Sequence, residues 1–236
     1  MRAKWEFDFI IVGAGSAGCV LANELSSDPC CRVLLIEAGP MDKGLFVKMP
    51  AAVYRVFRDK SVNWNYFTEK ENWLNQRCIY TPRGCVVGGS SSINSMVYMR
   101  GHRLDYDCWS DQFNLPEWNF AQCLPYFIQG ENYKSAKNEW RGKNGRLRVQ
   151  QANYSDPLFD AFLEAGTQSG QGRSDDLNGP NPEGLARLDC TILNGMRCSS
   201  ATAHLKPALM RPNLTLITRA HAQKVLVDKR KVNGTV

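Results

Sequence analysis

The run Phe7-Asp8-Phe9-Ile10-Ile11-Val12 leads directly into Gly13-Ala14-Gly15-Ser16-Ala17-Gly18, and Glu37 closes a second apolar run, Val33-Leu34-Leu35-Ile36. Three glycines at this spacing, between a strand and a helix, with an acid after the next strand, form the turn of a βαβ dinucleotide-binding unit. Gly13 permits the tight turn. Gly15 removes a side chain where backbone approaches a pyrophosphate, and Gly18 lets the helix pack closely on the sheet. The helix N-terminus offers unpaired N–H groups and a partial positive charge to the phosphates. Glu37 accepts hydrogen bonds from ribose hydroxyls, and its charge repels a 2′-phosphate. FAD or NAD is therefore favoured over NADP.

Both apolar runs predict parallel strands buried on both faces. Between them, Ala17, Val20, Leu21 and Leu25 fall at i, i+3, i+4 and i+8, which predicts the buried face of a helix. Ser26-Ser27-Asp28-Pro29 ends that helix.

The 236 residues suffice for one large domain or two, and 43% hydrophobic with 22% charged residues is ordinary globular composition. The formal charge of +6 is modest. The one dense basic cluster, Lys229-Arg230-Lys231, reads as a solvated hairpin turn, so no nucleic-acid partner is expected. Nine cysteines without a CxxC pair favour a reducing compartment over a disulfide framework. Three histidines, none at ligand spacing from cysteine pairs, give no metal site. No apolar stretch is long enough to span a membrane, and the few residues before the first strand are too short for a presequence, so the expectation is either that none is needed or that an upstream part lies outside this sequence.

Further along, Pro50–Phe57 reads as a short helix and Asn63–Thr68 as an edge strand. Thr81–Asn94 carries three glycines and three consecutive serines between apolar flanks. Such a loop suits a cofactor, because small residues let backbone N–H groups reach ring or phosphate acceptors. Helices are expected over Asp105–Phe113, Phe120–Gln129 and Asp156–Gly166, the last with Leu158, Phe159, Phe162 and Leu163 on its apolar face. Trp109, Trp118 and Trp140 are expected in a core. Strands are expected over Gly145–Gln150, Leu185–Leu193, Leu214–Thr218 and Lys224–Asp228, with a turn at Asn233-Gly234. His204 is expected in a loop.

At Gly13–Ala22, at Pro82-Arg83-Gly84-Cys85-Val86-Val87-Gly88-Gly89-Ser90-Ser91-Ser92-Ile93-Asn94 and at Met96–His102, the chain resembles the glucose-methanol-choline (GMC) family of flavin oxidoreductases. The second stretch is the more specific. The resemblance covers nearly all of this chain and less than half of a typical member. It implies an α/β fold, a Rossmann-like FAD-binding domain with a partial α+β substrate domain. Residues 5–104 would form the FAD-binding part, 105–195 an insertion toward the substrate domain, and 196–236 a return to the FAD-binding part.

The resemblance also implies extended FAD. Its pyrophosphate would lie on Gly13, Ala14, Gly15, Ser16, Ala17 and Gly18, and its adenosine ribose on Glu37, with Ala38 beside it. Val87, Gly88, Gly89, Ser90 and Ser91, together with Asn94, Ser95, Met96 and Val97, would hold the ribityl and isoalloxazine. Ala222 would make a backbone contact to adenine. Ile93 stands where some relatives attach FAD through histidine, which implies non-covalent binding. Cys85 and Val87 depart from the usual residues and imply looser flavin packing.

The implied activity is hydride transfer from a primary alcohol, choline favoured, to flavin N5, with a quinone or other electron acceptor. No catalytic residue is assigned: the family's base histidine has no match here, and His102, His204 and His221 are not in its place. A mitochondrial, inner-membrane-associated location is implied, with the cytoplasm as alternative. A non-catalytic FAD-binding fragment or interaction module, and more weakly an NAD enzyme, remain open.

Overall fold

The computed structural model describes residues 6–235. The expected first segment's N-terminal limit, residue 5, and Val236 lie outside them. Two compact units are present: Met1–Ser95 with Gly195–Val236, and Met96–Asn194. The expected boundary at residue 104 thus moves back. Val97–Tyr98 pairs antiparallel with Asp189–Cys190, which ties residues 96–104 to the second unit.

In the first unit, β1 (Phe9–Val12) is joined by α1 (Ser16–Leu25) to β2 (Val33–Ile36). The strand Leu214–Ile217 pairs with the other side of β2, so the three-stranded parallel sheet has β2 at its centre. Leu35 is level with Ile11 on one side and Leu216 on the other. The fold class is the expected α/β, but burial differs between the strands. All four residues of β2 are buried, whereas in β1 only Ile11 is, with Phe9, Ile10 and Val12 exposed. A central strand is covered along both edges; among the described residues β1 has a partner on one.

The buried face of α1 also differs from the expected one. Ala17 and Leu21 are exposed, while Gly18, Cys19, Ala22 and Asn23 are buried. The side that faces the sheet and the segment Ala201–Ala208 carries the small residues. Close approach, rather than bulk, decides the orientation. A second buried cluster, including Val47, Val56, Val62, Val86 and Ile93, lies under the excursion that follows β2. There Pro50–Ala52 forms one tight turn that continues as the helix Val53–Phe57, and Tyr66–Phe67 pairs with Tyr80–Thr81.

Val225–Asp228 and Lys231–Thr235 form a hairpin turning at Lys229 and Arg230, both at positive φ. The basic cluster is therefore at a turn as expected, but Asn233-Gly234 lies inside the second strand. His204 sits in a wide helical turn, Ala201–Leu205, not a loop.

The second unit holds a four-stranded sheet in the order Val97–Tyr98, Asp189–Cys190, Leu147–Gln151, Glu131–Tyr133. Leu185–Leu193 is not one strand: only Asp189–Cys190 and Ile192–Leu193 are extended pairing segments. The helices are Arg103–Phe113, Phe120–Gly130 and Pro157–Gln168. Each begins at a residue whose side chain accepts a backbone N–H of the first turn: His102, Asn119 and Asp156. Trp109 and Trp118 are about half exposed and stack edge-on with each other at 6.3 Å, so they are surface clusters rather than core. In the third helix Leu163 and Gly166 are buried while Leu158 and Phe162 are exposed.

What fixes the second unit internally is charge. Glu131 is fully buried and accepts from Arg100 Nη2 at 2.8 Å, from Arg141 Nη2 at 2.6 Å and from Gly142 N at 2.9 Å. Arg141 also reaches Asp176 at 2.6 Å and Asp189 at 2.9 Å. Burial alone would lower the Arg141 pKa, but the Glu131, Asp189 and Asp176 carboxylates outweigh it and raise it. No helix among the described residues is long and apolar enough to cross a membrane.

Candidate cofactor site

The site lies in the first unit, where β1 ends. Gly13 has φ +96°, a conformation L side chains rarely adopt, and its N–H donates to Ile36 O at 2.7 Å. A Cβ on Gly18 would overlap the Gly13 carbonyl. A Cβ on Gly15 would meet nothing within 4 Å, so that position faces open space. Gly15 is the N-cap of α1; no side chain caps the helix and its first turn carries no acid. Its first N–H groups have no intrahelical acceptor. This end is therefore shaped for an anion to approach.

Glu37 is 6% exposed. Its Oε2 accepts from Ala14 N at 2.8 Å and its Oε1 from Gly39 N at 2.9 Å. The carboxylate therefore braces the glycine turn, and each oxygen keeps a lone pair for a further donor. Ala220 N donates to Glu37 O at 2.9 Å and Arg219 N to Gly39 O at 3.0 Å. These bonds bring the segment carrying Ala222 to the Glu37–Ala38 end.

The glycine-serine tract packs directly on the first turn. Gly88 N donates to Ala14 O at 2.7 Å, and Val87 N to Pro40 O at 2.9 Å. Gly88 and Gly89 have φ of +92° and +54°. Residues Gly89–Ser92 make one tight helical turn. Ser91 Oγ donates to Gly88 O at 2.6 Å and accepts from Ser200 N at 3.0 Å. Ser200 Oγ in turn donates to Ser16 O at 2.7 Å. A cavity of about 300 Å³ opens beside the tract, lined by Phe57, Ser90, Ile93, Asn94 and Ser95 among others.

Cys19 Sγ also donates to Ala14 O, at 3.3 Å, and burial pushes its pKa up to about 12, so it is a neutral donor. Val87 is fully buried and packs in the core with Ala14, Cys19 and Ala201. Asn94 and Ser95 are exposed at the end of the first unit. Met96 and Val97 open the second unit, Met96 buried at φ +64° with its carbonyl accepting from Thr191 N, and Val97 in the sheet.

Two residues stand here that the sequence pattern does not single out. Ser200 joins Ser91 to Ser16, and Arg197 donates to the Asn94 carbonyl at 2.6 Å. Their contacts cross a hundred or more residues, and no local spacing announces them. The histidines have other occupations. His102 caps a helix of the second unit, and His221 lies edge-on to Trp64 at 5.4 Å. Among the described residues no group of three His, Cys, Asp or Glu side chains is placed to hold a metal ion.

Residues 7–235 match the GMC oxidoreductase family. An oxygen-dependent choline dehydrogenase of Sinorhizobium fredii is 45% identical over 227 residues, 96% of this chain and 41% of that protein. One from Brucella ovis is 44% identical over 97% of this chain and 41% of its own length. Among solved structures, pyridoxine 4-oxidase from Mesorbium loti superposes with a TM-score of 0.92 at 34% identity, over 98% of this chain and 47% of that one. An FAD-dependent oxidoreductase from Chaetomium thermophilum gives 0.89 at 28% identity, over 98% and 41%. The chain thus spans less than half the length of these relatives. Both choline dehydrogenases are bacterial, which removes the support for the mitochondrial expectation. With the βαβ turn, the glycine-serine tract and the match in hand, the chain belongs to the GMC oxidoreductase family.

Proposed function

We propose that this chain is the FAD-binding portion of an oxidoreductase that oxidises a primary alcohol, with choline as the favoured donor. The observation that carries it is the bond from Gly88 N to Ala14 O, which makes one surface of two glycine tracts far apart in sequence. The helix-end N–H groups at Ser16 and Ala17 receive the pyrophosphate, Glu37 and Ala38 the adenosine ribose, and Ala222 the adenine edge. Val87 to Ser91, with Asn94 and Ser95, hold the ribityl and ring system. Residues 6–95 and 195–235 serve the cofactor, and 96–194 begin the substrate side.

FAD, when bound, supplies the acceptor for the hydride. The chain's own work is to bind it, orient it and keep its ring in a fixed frame. Ile93 is 1% exposed within the Val56 and Val86 cluster and carries no nucleophile, so the attachment is non-covalent. The electrons pass on to a quinone or another acceptor, oxygen being the one that the relatives' names carry.

The test is direct. The purified chain is expected to be yellow, to release FAD intact on acid precipitation, and to bind added FAD after stripping. A folded, colourless chain that takes up no FAD overturns the reading. Anaerobic choline addition then separates two readings. Bleaching supports catalysis by this chain. A persistent yellow colour supports a flavin-binding module without its base. That second reading is favoured by the structural occupations of His102 and His221.

A further inference from the structure

Arg197 is 4% exposed, yet no carboxylate among the described residues pairs with it. Its Nε donates to Val47 O at 2.9 Å. Its Nη1 donates to Ser91 O at 3.3 Å, Asn94 O at 2.6 Å and Asn94 Oδ1 at 2.8 Å. Nη2 is buried without a partner. Isolated buried charges are costly, and proteins normally neutralise them with a counter-charge. Here every acceptor is neutral. Burial pulls the guanidinium pKa down to about 10, which still leaves it charged at neutral pH.

The position of this cation gives it a use. A peptide unit is planar, with its C=O and N–H pointing in opposite directions. Drawing the Asn94 carbonyl toward Arg197 turns the Ser95 N–H to the opposite side. Holding the Ser91 carbonyl does the same at the end of the Gly89–Ser92 turn. One side chain thereby sets the direction of the tract from inside the core.

We propose that Arg197 is the positioning residue of the flavin loop: it aims the Ser95 N–H at the ring system, and its unpaired positive charge favours the electron-rich form of the bound flavin. This rests on the FAD reading above. The charge acts strongly because the medium is poorly polarisable and no counter-ion cancels it. The unpaired charge is thus kept despite its cost because it acts on the cofactor.

The test compares wild type with Arg197→Lys, Arg197→Gln and Arg197→Met. Three quantities are read: FAD dissociation constant, thermal unfolding of the apo-chain, and sulfite dissociation constant of the FAD-loaded chain. Sulfite adds to the flavin ring and leaves it electron-rich, so its affinity reports the local charge without turnover. Arg197→Lys keeps the charge but not the fork; its FAD affinity is expected to fall about tenfold while sulfite affinity stays within about threefold. In Arg197→Met and Arg197→Gln sulfite affinity is expected to fall about tenfold or more. Arg197→Gln retains polar groups and serves should Arg197→Met fail to fold. A wild-type chain that holds no FAD overturns the functional reading, and this inference with it. FAD-binding variants with lower melting temperature but wild-type sulfite affinity overturn this inference alone and leave Arg197 a structural residue.

Discussion

A Cβ on Gly89 would stand 2.7 Å from the Cα of Gly15. The two glycine tracts therefore meet backbone to backbone, with no side chain between them. Their glycines are required for different reasons. Gly18 and Gly89 are required by the protein itself, since a methyl there meets backbone. Gly15 has open space where its Cβ would be, so the requirement comes from whatever occupies that space.

The three alanine variants should separate accordingly. Gly18→Ala and Gly89→Ala are expected to lose about 2–4 kcal/mol of stability, as overpacking against backbone does. Gly15→Ala should change stability by less than about 1 kcal/mol, the scale of an N-cap exchange, while weakening FAD binding at least tenfold. Urea unfolding and FAD titration measure the two effects. A Gly15→Ala chain with wild-type FAD affinity would remove Gly15 from the cofactor surface.

Glu37 serves both the fold and the cofactor surface. Both its oxygens accept backbone N–H groups, from Ala14 and Gly39. In Glu37→Gln, one of those N–H groups faces an amide NH₂ and loses its acceptor. Leaving a buried donor unsatisfied costs about 1–3 kcal/mol. The expected outcome is a lower denaturation midpoint in the apo-chain, before FAD is added. An apo-chain of unchanged midpoint, losing only FAD affinity, would show that bracing the turn is not the residue's role.

The parts of this fold legible in the sequence are those built from neighbours along the chain. Gly13, Gly15 and Gly18 announce the turn because each steric demand is local, and Glu37 follows at the end of the next strand. The register of small residues on α1 escapes a hydrophobicity pattern. Gly18, Cys19 and Ala22 are buried by closeness, while the more apolar Leu21 is left outside. The exposure of Phe9 and Val12 is equally invisible, because strand composition does not say whether a second edge is covered. Arg197 and Ser200 act on residues far upstream, and no periodicity carries that information.

The buried ion cluster of the second unit makes a stronger claim. Glu131 is fully buried between Arg100 and Arg141. Neutralising it as Gln leaves two buried guanidinium groups short of charge, and breaking such a pair from one side costs about 3–5 kcal/mol. Glu131→Gln is therefore expected to destabilise the second unit by that amount, read from the fluorescence of Trp140, whose carbonyl accepts from Arg100. The first-unit FAD affinity serves as the control. A loss under about 1 kcal/mol would mean that the cluster merely tolerates its charges.

Cys19 gives the pH-dependent prediction. Its thiol is fully buried and bonded to Ala14 O, and burial raises its pKa from 9.0 to about 12. In the unfolded chain the thiol ionises at its ordinary value, so between the two values the native state holds a proton that the unfolded state has released. Stability is then fully present below about pH 9 and falls as pH rises toward about 12. Cys19→Ala should flatten that part of the profile, because alanine has no proton to hold. Alkylation follows the same logic, since only the thiolate reacts. In the native chain at pH 8, iodoacetamide should label the exposed Cys30 and Cys78 and spare Cys19, which mass spectrometry of the digest reads directly. Labelling of Cys19 at the rate of Cys30 would show that the seam between α1 and the glycine turn opens in solution. The contact from Gly88 to Ala14 would then be too loose to hold a cofactor.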